Sequence, residues 1–225
     1  MIVNKNYFSM TAIIAACLQA GSLLAAPAMG GGSGLVYIPT AESLRYKEFN
    51  IGVDTLYAGG QASQVFYKAN LGTFKGLELG FIGGSAPNEG VFINAKYYLL
   101  SDASRYPLGI AIGVANLTSS SESSLYMVAS KRLPQNFDAH VGFQATFPPN
   151  QVDASIMAGI EFFPTGLMSI AVDTIGEGST YLVNAGFRIN ANNTLQVRIY
   201  GLNLFDGNPT GITGSFMPAD PSLSV

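Results

Sequence analysis

The feature that most constrains this chain is an alternation of apolar and polar residues with a period of two, running from about residue 48 to residue 217. In the stretch "FDAHVGFQATF", Phe137, Ala139, Val141, Phe143, Ala145 and Phe147 alternate with Asp138, His140, Gly142, Gln144 and Thr146. Successive side chains on a β-strand point to opposite faces, so this stretch reads as one long strand with an apolar face and a polar face. The pattern recurs between runs of turn chemistry such as "GTFKG", "GGSAPNE", "LPQN", "FPTG", "GEGS" and "DGNPT". It predicts strands near 48–57, 63–72, 76–84, 90–100, 107–117, 123–132, 136–147, 152–163, 166–175, 179–190, 193–204 and 209–217, and no helix. Strands of soluble domains are typically ~5–6 residues long, whereas a strand that crosses a bilayer needs ~9–11. Most of the predicted strands have the longer length.

The placement of charge strengthens this reading. Apolar sets such as Val91/Ile93/Ala95/Tyr97/Leu99 and Tyr181/Val183/Ala185/Phe187/Ile189 contain no ionised side chain. The opposite faces carry Asp54, Lys68, Glu78, Asn94, Lys96, Asp138, His140, Gln144, Glu161, Asp173, Arg188 and Arg198, which are expected to face a lumen. A Lys or Arg directed into lipid at mid-depth costs about 2–4 kcal/mol, so a membrane barrel must segregate its charges in this way. Only 11% of residues are charged, against roughly 25% in an ordinary soluble domain. Small residues on the polar face, including Gly80, Gly113, Gly142, Gly159 and Gly186, suit a crowded interior better than a watery surface. The expected fold is an all-β, antiparallel, up-and-down transmembrane β-barrel of about 12 strands, occupying 48–217 and followed by a tail at 218–225. The alternative is a secreted soluble β-sandwich that binds a ligand, with the apolar faces forming its core.

The first residues read as an export signal ending at Ala28. Lys5 precedes an apolar stretch from Tyr7 to Ala26, and Ala26-Pro27-Ala28 forms a small-x-small cleavage site. Ile14-Ala15-Ala16-Cys17 also resembles a lipobox, which leaves lipidation of Cys17 open. Residues 29–47 then form a lead-in to the barrel. With both termini periplasmic, the outer connections hold Glu89, Glu122, Asp153, Glu177 and Asp206, an acidic outer rim without Lys or Arg. The chain has no Trp, so Tyr and Phe must supply any aromatic girdle.

Several function classes find no support. A net charge of −3 with no basic stripe argues against nucleic acid. Beyond Cys17 no Cys/His cluster could hold a metal, and no cofactor is expected. The glycine runs "MGGGSG" and "FIGGS" lack the strand–glycine–helix context of a phosphate loop. His140 has Asp138 two positions away on the same face, but no serine stands out as a nucleophile, so no enzymatic activity is expected. Twelve strands fall between barrels filled by side chains and barrels with aqueous channels, which leaves an open pore and a filled lumen both available.

A resemblance adds to this. "GLVYIPTAESLRYKEFNIGV", with Gly34, Leu35, Pro39, Thr40 and Ala41, looks like the start of YjbH-like proteins, and "NEGVFINAKYYLL" and "PLGIAIGVANL" look similar to that family's following hairpins. The resemblance implies an outer-membrane β-barrel associated with exopolysaccharide, in a single-barrel form. The expected role is a passive pore or a structural, export-associated envelope component. Its partners would be outer-membrane lipid, the barrel-assembly machinery and polysaccharide or small solutes.

Overall fold

The computed structural model describes residues 27–58, 61–85, 90–100, 108–177, 180–190, 195–205 and 212–218. Residues 1–26 of the expected leader (1–28), Cys17 among them, the tail beyond Pro218, and Glu89 and Asp206 lie outside the described residues.

Twelve strands form: β1 (Phe49–Ala58), β2 (Gln61–Phe74), β3 (Leu77–Gly84), β4 (Phe92–Leu100), β5 (Gly109–Ala115), β6 (Ser124–Leu133), β7 (Phe137–Thr146), β8 (Asp153–Thr165), β9 (Met168–Glu177), β10 (Thr180–Asn190), β11 (Leu195–Gly201) and β12 (Ile212–Pro218). Each pairs antiparallel with its sequence neighbour, and β1 pairs with β12 to close the sheet into a barrel. Closure removes every free sheet edge, as hydrocarbon requires of any sheet that crosses it. It also rules out the soluble sandwich, which needs two sheets packed face to face.

The turns follow from local chemistry. Between β6 and β7, Gln135 and Asn136 both adopt positive φ (65° and 64°), which makes the tight reversal whose twist matches the flanking strands. That turn fixes the register Ser130↔His140 and Arg132↔Asp138. Even-numbered residues face inward in β1 to β4, β6, β7, β10 and β11, and odd-numbered residues face inward in β5, β8 and β9. The outward set forms a continuous belt that includes Ile51, Phe81, Met127, Val141, Phe143, Ile156, Ile160, Ile170 and Val172, all exposed. A monomer in water rarely shows so extended an apolar surface, whereas a bilayer requires it. Near one edge of the belt, Phe137 stacks on Phe162 of the neighbouring strand with ring centroids 4.5 Å apart. Exposed Phe147 lies toward the other edge.

The largest departure from the sequence reading lies in residues 27–44. This stretch, the last two residues of the expected leader (1–28) and most of the expected lead-in (29–47), is folded into the lumen, where Ala28, Leu35, Val36, Ile38, Ala41 and Leu44 are buried. Bridges between Pro27 and Ser33 and between Gly34 and Pro39 fold it back on itself. The apolar core of the molecule lies between this segment and inward-facing Ala111, Tyr126, Val128, Met157, Ala171, Ile175 and Tyr200. Apolar residues on the lumen side were not anticipated from the sequence. They serve as the counter-surface for the inserted segment.

Candidate functional site: the lumen and the segment within it

The register brings the predicted lumenal charges together as cross-strand pairs. Lys68 of β2 is ion-paired with Asp54 of β1, both buried. Glu161 of β8 meets Arg188 of β10 at 3.0 Å, and Asp138 of β7 meets Arg132 of β6 at 3.2 Å. Burying an isolated charge costs several kcal/mol, so each is tolerated only with a partner or a set of hydrogen bonds. Arg132 was not among the predicted lumenal residues. Its position directly opposite Asp138 comes from the hairpin register.

The remaining charges are satisfied by the backbone of the inserted segment. The Asp173 carboxylate accepts hydrogen bonds from three consecutive backbone N–H groups, Val36 (2.9 Å), Tyr37 (2.7 Å) and Ile38 (3.2 Å), and a fourth from the Asn184 amide (2.8 Å). Glu78 accepts from the Ser33 N–H (2.8 Å), the Ser33 hydroxyl (2.7 Å) and the Leu44 N–H (2.9 Å). Lys96, 3.8 Å from Glu78, donates to the carbonyls of Ser33, Thr40 and Glu42 and to the Ser33 hydroxyl oxygen. Lys68 donates to the Ala28 carbonyl, and Arg198 donates to the carbonyls of Pro27 and Leu35. A turn-rich segment without its own ladder leaves its backbone polar groups to be satisfied by something else. Here the wall supplies acids to its N–H groups and bases to its carbonyls.

Two glycines show how closely the segment fits. A Cβ on Gly159 would lie 2.5 Å from Leu35 Cδ1, and one on Gly186 would lie 2.9 Å from Val36 Cγ2. Both positions face the lumen, and the missing side chains make the space that Leu35 and Val36 occupy.

The motif residues Gly34, Leu35, Pro39, Thr40 and Ala41 thus sit inside the barrel. Leu35, Thr40 and Ala41 are buried, and the Leu35 N–H donates to the Ile38 carbonyl (3.0 Å) across the turn that leads into Pro39. His140 lies beside Ser130, with Nδ1 2.7 Å from its hydroxyl oxygen, and that oxygen accepts the Ala41 N–H at 2.8 Å. The serine that the sequence did not single out is therefore Ser130, and its oxygen is held by the inserted backbone. Asp138, the candidate orienting acid, instead pairs with Arg132. These three side chains do not form a nucleophile–base–acid chain.

Asn94 is buried and accepts the Asn116 N–H at 2.8 Å. Gln144 is half-buried and donates to the Thr146 hydroxyl at 3.2 Å. At the barrel end that carries the β5–β6 and β7–β8 connections, Glu122 and Asp153 of the expected acidic rim are exposed. The β9 backbone extends through Glu177. Sequence reasoning passed over Asn50, Asn70, Ser130, Ser169, Asn184 and Gln196, all buried polar groups on the lumen face. Their parity relative to the charged positions was the signal that could have found them.

No family model matches the sequence. No curated protein matches it. Solved structures do resemble it in fold. The KdgM porin aligns at 9% identity with a TM-score of 0.51, covering 76% of this chain and 96% of that one. The NanC porin aligns at 8% identity with a TM-score of 0.52, covering 76% and 97%. A KdgM porin in complex with disordered oligogalacturonate aligns at 8% identity and a TM-score of 0.50, with 76% and 96% covered. The fold is that of an outer-membrane β-barrel of the porin type, and the apolar belt and closed sheet fit the bacterial outer membrane. At this level of identity the likeness is one of fold alone.

Proposed function

We propose that this chain is an outer-membrane barrel closed by its own N-terminal segment, acting as a structural or export-associated envelope component with a passive, restricted pore. The observation that carries this reading is the hold on residues 27–44. Asp173 and Glu78 take the segment's N–H groups, while Lys68, Lys96 and Arg198 take its carbonyls. A solute crossing the barrel would have to pass around this segment or displace it. Neither porins in general nor an empty polar conduit need such an arrangement. An exported, signal-cleaved chain is consistent with this reading, and the wall's contacts to Pro27 and Ala28 favour retention of both residues in the mature protein.

The finer reading is that this is a YjbH-like protein serving exopolysaccharide. It rests on the Gly34–Ala41 motif, whose residues here build the lumenal turn. Deletion of the gene with exopolysaccharide release as the readout tests it.

Conductance in planar bilayers tests the closed barrel. The intact protein is expected to give small, infrequent openings, and the Asp173→Ala/Glu78→Ala double variant is expected to conduct steadily. Large stable openings in the intact protein would overturn the reading.

A further inference from the structure

Below the inserted segment, at the barrel end that carries the β6–β7 and β8–β9 turns, the wall and the segment line a cavity of about 450 Å³ that is open on one side. That volume lies within the ~300–1,000 Å³ typical of small-molecule sites. Its charged lining consists of the Arg132–Asp138 and Arg188–Glu161 pairs together with Glu42 of the segment. Three carboxylates face two guanidiniums, a local balance of −1, and each guanidinium is already bound to an acid. An anionic solute would meet no uncommitted positive charge and one surplus negative charge.

The neutral lining is rich in groups that both donate and accept. Gln135, Asn136, Thr165 and Asn190 supply amides and a hydroxyl around the cavity. Ser169, a residue 2% exposed, lies in the same wall, and its hydroxyl has no hydrogen-bond partner among the described residues. Arg188 Nε is buried without a hydrogen bond as well. Leu133 and Phe163 add an apolar surface to the same wall.

We propose that this cavity is a binding site for a neutral saccharide of one or two rings, open to the periplasmic side, that rejects acidic sugars. Ring hydroxyls match the Gln135, Asn136 and Asn190 amides and the Thr165 hydroxyl, groups that both donate and accept. The apolar ring face matches Phe163 and Leu133. The assignment depends on the closed-barrel reading, because the segment forms the roof of the cavity through Thr40 and Glu42.

Calorimetric titration of the detergent-purified full-length protein tests this, with glucose, N-acetylglucosamine and maltose set against galacturonic acid and spermidine. At least one neutral sugar is expected to bind saturably, with neither charged ligand doing so. Ser169→Phe, which fills the cavity, should weaken the neutral sugar by at least about tenfold, equivalent to about 1.4 kcal/mol. Glu42→Gln, which removes the surplus negative charge, should keep neutral binding and admit galacturonic acid. An unboiled-band shift on SDS gels checks that both variants are folded, so loss of fold in Ser169→Phe leaves Glu42→Gln to decide. No saturable binding by any neutral sugar, preferential binding of galacturonic acid or spermidine, or Glu42→Gln leaving galacturonic acid excluded would each overturn the assignment. A barrel that still shows the small conductance of a closed lumen while binding no sugar would separate failure of this inference from failure of the closed-barrel reading.

Discussion

The outer and inner walls of this barrel are built from the same strands and obey different rules. The outer wall, with Ile51, Phe81, Val141, Ile156 and Ile170, is interchangeable in detail. Any apolar side chain of suitable size serves there, because lipid makes no directional demand. The inner wall is specific at nearly every position. Asp173 is matched to three particular N–H groups, Lys96 to particular carbonyls, and Gly159 to the volume of Leu35. One face needs only a transfer preference, whereas the other needs a partner of defined shape. The contrast shows that the lumen of this protein is a protein–protein interface within a single chain.

Substitutions on each face can break or sharpen that contrast. The largest effect is expected from Asp173→Ala, which takes the acceptor from three N–H groups at once, two of them, Val36 and Ile38, buried and each worth about 1–3 kcal/mol when left without an acceptor. Its signature is release of the segment, read as new protease sensitivity near residue 36 in an intact barrel. Protection equal to the parent would show that the inner wall is as permissive as the outer. Next, Ile160→Lys on the lipid face of β8 should cost about 2–4 kcal/mol of barrel stability, measured by urea unfolding in vesicles. The segment should stay protected in that variant, because Ile160 faces away from it. Ser130→Ala should cost about 1–3 kcal/mol by removing the acceptor of the Ala41 N–H, with a local rise in amide exchange at Ala41. The smallest effect is expected from Arg45→Ala, whose side chain is 72% exposed with Nε 3.9 Å from the Glu48 carboxylate. Exposed pairs of this kind contribute ~0–1 kcal/mol, and its unfolding curve should overlay that of the parent.

The two walls also differed in how well the sequence revealed them. The outer wall is written in strict alternation, and a period of two forces one parity outward once a barrel closes. That alternation led to the antiparallel barrel and put Asp54, Lys68, Glu78, Lys96, Asp138, His140, Glu161, Asp173 and Arg198 on the parity opposite the apolar sets, and these residues are buried. The inserted segment was not legible for a physical reason. Residues 27–44 have neither period two nor period 3.6, because a chain held by side chains of the wall needs no repeating backbone pattern. Two signals pointed to it without naming it. The inward glycines called for something to fill their space, and five acids and four bases on the lumen face called for hydrogen-bond partners. The apolar inward residues Val128 and Met157 broke the polar parity for the same reason, since they pack on the segment. Periodicity identifies faces, but it does not identify what each face contacts.

The most direct test of the central claim is thiol accessibility of Ile38, which is fully buried in the lumen. A Cys17→Ser/Ile38→Cys protein folded in lipid vesicles would be exposed to a membrane-impermeant maleimide, with a denatured sample for reference. The expected result is no labelling of the folded barrel and complete labelling after denaturation. Rapid labelling of the folded protein, with its unboiled-band shift intact, would show that the segment lies outside the lumen and would contradict the account.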